Sequence, residues 1–205
     1  MLVAPRWVGL FATAFALVLC LSAASEAAPR KAAFVLDATT GRTLYSQNGN
    51  ARRYPASLTK MMTLYLLFED LEHGRVTLNT RFRVSKHAAA REPSKLWLKP
   101  GGTISALEVI HAIVTLSAND AAAVVGESLG GSEEKFARRM TSTARSLGMR
   151  RTRFANASGL PNHRQFTTAH AHGPSWRRAA SALSGALPVF PHTQVRLPRP
   201  HLRHS

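Results

Sequence analysis

The sequence predicts a mixed α and β domain in which a β-hairpin precedes a mainly helical middle. Three observations carry this. Two short apolar runs, residues 32–38 and 43–46, flank the turn-forming tetrad Thr39-Thr40-Gly41-Arg42. From residue 57 onward, apolar positions recur at helical spacing in several segments broken by glycine or polar residues. The chain has 205 residues and 45% hydrophobic content, enough for one domain with a buried core.

Taken in order, the strand at 32–38 turns through 39–42 and returns at 43–46. The apolar stretch between Met61 and Leu71 predicts a buried helix that opens at Ser57 and ends near Gly74, with His73 in its last turn. Residues 81–85 read as a short strand and 98–102 as a Pro-Gly loop. Leu107, Ile110, Ile113 and Val114 place a helix over 105–116. Asp120 starts another, running to Leu129. Ser132, after Gly130-Gly131, caps a helix that carries Phe136, Met140 and Leu147 and stops at Gly148. Residues 156–161 form a loop.

Residues 1–27 stand apart from this domain. Arg6 supplies a basic start, residues 8–21 an apolar run, and residues 23–28 a small-residue end, which together predict a secretory signal peptide cut after Ala27. The apolar run is short for a membrane span. The single cysteine, Cys20, lies inside it, and Leu19 before it is too large for lipoprotein processing. The mature chain therefore carries no thiol, no disulfide and no cysteine-ligated metal. The expectation is an exported protein.

Charge is unevenly placed. All 11 acidic residues fall at or before Glu134, whereas residues 135–205 hold 13 of the 27 Lys and Arg. Residues 169–205 contain five Arg, five His and five Pro but no Lys, Asp or Glu, and show no sustained period. An exported chain with no base-stacking aromatic pattern is not expected to bind nucleic acid. The tail histidines lack acidic partners and a helical His-x-x-x-His with a third ligand, so no metal site is expected.

Ser57-Leu58-Thr59-Lys60 carries the chemistry. On a helix Ser57 and Lys60 lie one turn apart on one face. A serine is a poor nucleophile at neutral pH, and an amine within reach supplies the base that acyl transfer needs. The same spacing recurs at Ser132-Glu133-Glu134-Lys135, where the two acids and the apolar series mark an ordinary helix cap. Capping is also the alternative for Ser57. Sixty positions on, Ser117-Ala118-Asn119 sits at a helix junction, where a hydroxyl and an amide can project into a cleft to pass a proton and hold a substrate amide. Its alternative is that Ser117, Asn119 and Asp120 cap the next helix. Lys95 reads as a solvated loop lysine or a cleft residue.

Residues 31–168 resemble the N-terminal part of the low-molecular-mass penicillin-binding D-alanyl-D-alanine carboxypeptidases. The matching pieces are Asp37-Ala38-Thr39-Thr40-Gly41, Tyr54-Pro55-Ala56-Ser57-Leu58-Thr59-Lys60-Met61-Met62-Thr63, Pro93-Ser94-Lys95-Leu96, Leu116-Ser117-Ala118-Asn119-Asp120-Ala121-Ala122 and Asn156-Ala157-Ser158-Gly159-Leu160-Pro161. The resemblance implies an α+β, β-lactamase/transpeptidase-like fold: a hairpin of its antiparallel sheet plus the helical region. It implies that Ser57 forms the acyl-enzyme, Lys60 is the general base, Ser117 relays a proton and Asn119 binds the substrate amide. The implied substrate is the D-Ala-D-Ala end of a peptidoglycan pentapeptide in the periplasm or at the outer face of the cytoplasmic membrane. β-Lactams are the implied covalent inhibitors, and no cofactor is implied.

One family element is missing. After Ser117 no Lys, Arg or His is followed by Thr or Ser and then Gly, so the Lys-Thr-Gly motif and the later strands of the sheet are absent. A class A β-lactamase also needs a deacylating Glu, and only Glu127, Glu133 and Glu134 follow Ser117. The remaining alternatives are an inactive penicillin-binding fragment and an exported cationic protein held peripherally to the cell wall or membrane. We expect three segments: a signal peptide (1–27), a partial peptidase domain (28–168) and a basic tail (169–205) that arises from a shifted reading frame. A divergent protein with a genuine basic arm is the alternative for the tail. Translating the gene in its other two frames after codon 168 should yield a continuation with a Lys-Thr-Gly-like motif; finding none in either frame overturns the frameshift.

Overall fold

The structure, a computed structural model, describes residues 31–173. The segment expected to be a signal peptide (1–27) and residues 174–205 of the expected tail lie outside the described residues. Strands β1 (Ala33–Leu36) and β2 (Thr43–Gln47) form the expected antiparallel hairpin, with Phe34 opposite Ser46 and Val35 opposite Tyr45. Asp37 shapes its turn by accepting from the amides of Thr39 and Thr40 at 2.9 and 2.7 Å. β2 is exposed throughout, and Val35, Leu44 and Tyr45 show apolar surface to solvent.

A tight 3₁₀ turn (Ala56–Leu58) leads into helix α1 (Thr59–Glu72). Its Met62, Leu66, Leu67 and Phe68 enter the core. A second antiparallel pair follows, β3 (Arg81–Arg83) with β4 (Thr103–Ser105), placing buried Phe82 opposite buried Ile104. β4 is too short and polar to show a period in the sequence. Between the two strands lies the short helix α2 (Lys86–Ala89), capped by Ser85 Oγ accepting from Ala88 N. Helix α3 (Ala106–Leu116) opens with a full capping box between Ser105 and Glu108.

Helix α4 (Asn119–Gly130) is the centre of the domain. Residues 121–125, three alanines and two valines, are fully buried, and α1, α2, α3, α5 and β3 all pack on it. A helix apolar all round belongs in an interior, and its alanines let neighbours approach closely. Helix α5 (Glu133–Ser146) is amphipathic: Phe136, Ala137, Met140 and Ala144 form its buried stripe. Ser132 caps it by accepting from Lys135 N at 3.2 Å, so the second Ser-x-x-Lys is a cap, as expected.

The last described segment clasps the chain ahead of α1. Arg53 and Thr167 exchange two backbone hydrogen bonds of 2.8 Å, and Arg153 pairs likewise with Phe166. Residues 169–173 form a helical turn that buries Ala171 and sets His170 edge-on to Phe34 with 4.9 Å between ring centroids.

Helices α1 and α5 are joined by an ion-pair network. The nearly buried Asp70 carboxylate receives the Arg139 guanidinium at 2.6 and 2.9 Å and Arg75 Nε at 2.7 Å, while Arg139 also reaches Glu69 at 2.7 Å. Burial pushes the Asp70 carboxyl up, but the two guanidinium groups outweigh it and hold the carboxyl below the usual carboxylate range. A depressed carboxyl stabilises the fold above the ordinary carboxylate range and loses that contribution as pH falls through its folded value. Arg139→Ala should therefore cost about 2–4 kcal/mol in urea unfolding at neutral pH. The difference from the parent should shrink under acid, once Asp70 is protonated in both.

Candidate active site

Ser57 sits in the 3₁₀ turn, two residues before α1 proper, where the sequence placed it at the helix start. The cause lies upstream. Pro55 and Ala56 enter the turn with no side-chain cap, and Ala56 adopts a left-handed φ of 46°, a conformation that costs a residue with a Cβ about 1–2 kcal/mol. A 3₁₀ turn has three residues per turn, so Ser57 and Lys60 still share a face. Ser57 is exposed. Lys60 is only 4% exposed.

The Lys60 ammonium donates to Asn119 Oδ1 and to the Ser158 carbonyl, each at 2.7 Å. Both acceptors are neutral, so nothing offsets the loss of hydration, and burial pulls the amine down from 10.5 to about 8. An amine poised there is a base that neutral-pH chemistry can use.

Neither Ser117 nor Asn119 caps the next helix through its side chain, although Asp120 Oδ1 accepts from Ala121 N at 2.8 Å. The N-cap of α4 is Ala118 and offers no side-chain bond, while Ser117 ends α3 in a left-handed conformation with φ of 53° and faces the cleft. Beyond holding Lys60, Asn119 donates through Nδ2 to Glu92 O at 2.8 Å and through its backbone N to Ser94 O at 2.7 Å. Fully buried Asp120 accepts from the amides of Leu96 and Leu98 at 3.0 and 3.1 Å. The start of α4 thus fastens residues 92–98 as one wall of the cleft. Lys95 is not in it: its amine meets Ala89 O at 3.2 Å and lies over the Trp97 ring.

Residues 156–162 form the opposite wall, which the residue types alone did not assign a task. Asn156 Oδ1 accepts from Gly159 N at 2.7 Å, and Thr63 Oγ1 donates to Ala157 O at 2.7 Å. A backbone carbonyl such as that of Ser158 leaves no mark in the sequence. The signal available was Gly159, whose φ of +89° and close approach to the Ala56 carbonyl both require glycine. The cleft between the walls holds about 880 Å³, and Ser57, Ser94, Ser117, Asn119, Ser158 and Asn162 line it. Among the described residues no group of His, Cys, Asp or Glu is arranged to hold a metal ion. Of the tail histidines, His172 is buried, which depresses it to about 4. His192, His201 and His204 lie outside the described residues.

The buried Lys60, the exposed Ser57 one turn away and the Ser117-Ala118-Asn119 junction come together around one cleft. The family model for D-alanyl-D-alanine carboxypeptidases of peptidase family S11 matches residues 21–173, and the chain belongs to that family. The chain is 36% identical over 140 residues to D-alanyl-D-alanine carboxypeptidase DacF of Bacillus subtilis, covering 68% of this chain and 36% of the relative. It is 34% identical over 163 residues to DacC of Escherichia coli, covering 77% and 40%. Among solved structures, the carboxypeptidase DacD of Francisella tularensis superposes with a TM-score of 0.74 at 33% identity, over 80% of this chain and 40% of that one. Penicillin-binding protein D2 of Listeria monocytogenes in its ampicillin-bound form superposes at 0.63 with 28% identity, over 77% and 64%. The fold is thus the expected penicillin-binding, transpeptidase-like one. The chain spans 36–40% of the length of these curated relatives.

Gly159→Ala should cost about 2–3 kcal/mol in urea unfolding, from positive φ plus collision with the Ala56 carbonyl. Gly74→Ala, at φ +67° with open space around it, should cost only about 1 kcal/mol.

Proposed function

We propose that the protein is an exported serine-type D-Ala-D-Ala carboxypeptidase, working through a Ser57 acyl-enzyme outside the cytoplasmic membrane. The observation that supports this most is the Lys60 amine, buried between two neutral acceptors one turn from an exposed serine. A neutral amine that spends both N–H groups on Asn119 and Ser158 keeps its lone pair for the Ser57 hydroxyl proton.

As Ser57 Oγ attacks the carbonyl of the penultimate D-Ala, its proton passes to Lys60. The tetrahedral intermediate then breaks the C–N bond, and the proton reaches the leaving D-Ala amine through Ser117. Asn119 holds the substrate amide. Water, deprotonated by the same lysine, releases the shortened peptide. The substrate is the peptidoglycan pentapeptide, and β-lactams acylate Ser57 in its place. Turnover also needs a partner for the substrate carboxylate and a completed oxyanion hole, the part that the resemblance assigns to a Lys-Thr-Gly strand.

The cleft residues Ser57, Lys60, Ser117 and Asn119 carry the acylation step, and they equally support a second reading, a penicillin-binding fragment that is acylated but does not turn over. Intact-protein mass after incubation with a β-lactam should show one adduct, absent in Ser57→Ala. Lys60→Ala should slow acylation by about 10²–10⁴-fold. Because protonated Lys60 cannot take the proton, the parent rate should rise about tenfold per pH unit up to about 8 and level above it. Release of D-Ala from a pentapeptide decides between the readings: measurable release supports the carboxypeptidase, and an adduct without release supports the fragment. No adduct overturns both.

A further inference from the structure

We propose that Glu133 is a positioning residue for Lys60, acting through the backbone of residues 157–159. The proposal rests on reading Ser57 and Lys60 as the acylating pair. Glu133 is the first residue of α5 and is 9% exposed. Its Oε1 accepts from the buried Ala157 N at 3.0 Å, and its Oε2 meets His87 Nε2 at 2.9 Å. Arg91 Nη2 lies 3.0 Å from His87 Nδ1 and Arg91 Nη1 3.8 Å from Glu133 Oε2. An imidazole that accepts from Arg91 at Nδ1 carries its proton at Nε2 and donates it to Glu133. The donors therefore run in one direction, from Arg91 to His87 to Glu133, and both carboxylate oxygens are occupied.

The residue that Glu133 holds stands directly before the Lys60 acceptor. Ala157 N is fixed by Glu133, Ala157 O by Thr63, and Ser158 O receives Lys60. A three-residue strip is thus tied to α5 on one edge and to α1 on the other. From below it is pressed by Gly126 of α4, where a Cβ would stand 3.0 Å from Ala157 Cβ and 3.5 Å from Glu133 Cγ. Without the carboxylate, Ala157 N is left buried and unpaired, and the strip has no second edge to hold Ser158 O on the amine.

A helix-dipole role does not account for this placement. Glu134 occupies the same first turn, is exposed, and serves the dipole equally well. Only Glu133 reaches the strip. The ionisable groups around it are His87 and Arg91, with Glu127, Glu134 and Arg164 lining the same hollow. Lys60 itself faces only neutral oxygens in its two hydrogen bonds.

The test uses the full chain with ¹³Cε-labelled lysine. Lys60 is one of six lysines, and its resonance is assigned by its loss in Lys60→Arg. In the parent, Lys60 should titrate near 8. In Glu133→Ala, with circular dichroism unchanged, the midpoint should fall by about one unit or more below the parent value, as the buried ammonium loses an acceptor and a nearby carboxylate that favour its charged form. Acylation by a β-lactam near neutral pH should fall about 10–100-fold. Glu133→Gln keeps an acceptor for Ala157 N but loses the one for His87, and should recover at least about half of the logarithmic loss of the alanine variant, while Glu134→Ala should stay within about threefold of the parent. If Glu133→Ala does not fold, Glu133→Asp replaces it: charge is kept, but a side chain one methylene shorter cannot span both partners.

An unchanged Lys60 midpoint and rate in a folded Glu133→Ala or Glu133→Asp overturns the proposal. So does Glu133→Gln as damaged as the alanine variant, since charge and not acceptance would then be the agent. A parent that never forms an adduct sinks the acyl-enzyme reading alone, and the Lys60 titration then decides the role of Glu133.

Discussion

An amine taken out of water and given only neutral oxygens to bond is the constraint on which this site depends. Lys60 comes from α1, its two acceptors come from residues 59 and 98 positions away, and the three must meet within hydrogen-bond distance at once. A buried ammonium without a carboxylate pays a desolvation penalty that lowers its pKa. Among the described residues Lys60 is the buried lysine that accepts that penalty, one turn from the exposed Ser57. Stability and reactivity pull against each other here, as they do at strained or underpaired sites generally.

The rest of the domain can be understood as the frame that brings two walls to that amine. α4 serves as the axle. Its small residues allow α1, α3 and α5 to pack close, and its first two side chains, Asn119 and Asp120, reach outward to hold residues 92–98. The opposite wall is pinned by Thr63 and Asn156, and its Gly159 lies against the turn that presents Ser57. Asp70 and Arg139 fix α1 against α5, so the helix that carries Lys60 cannot slide relative to the helix whose N-terminus faces residues 157–159.

Most cationic side chains of residues 135–173 take no part in this frame. Among residues 135–173 there are eight Lys and Arg and no acid, yet only Arg139 is spent on an ion pair in the core network. The others face solvent, where each is cheap to keep and none shapes the cleft. The exposed apolar residues of the hairpin, Val35, Leu44 and Tyr45, are likewise remote from the chemistry.

Much of this was legible in the sequence, for identifiable reasons. The hairpin announced itself through Thr39-Thr40-Gly41 between apolar runs, α5 through its Ser132 cap and its period, and α1 through eleven largely apolar residues. Local chemistry dictates those elements, so local reading finds them. Ser57 with Lys60, and Ser117 with Asn119, stood out in the sequence by residue type and spacing, and the fold brings all four to one cleft. β4 and α2 did not stand out, being too short for a period to register. Nor could spacing say that Asn119 would spend its oxygen on Lys60 instead of capping α4, that a serine carbonyl would be the second acceptor, or that of two adjacent glutamates only Glu133 would turn inward. By itself the sequence determined the helices, the hairpin and the reactive residue types. Tertiary structure alone decided which neutral oxygens surround Lys60, because backbone acceptors and burial belong to packing between distant segments and have no residue code.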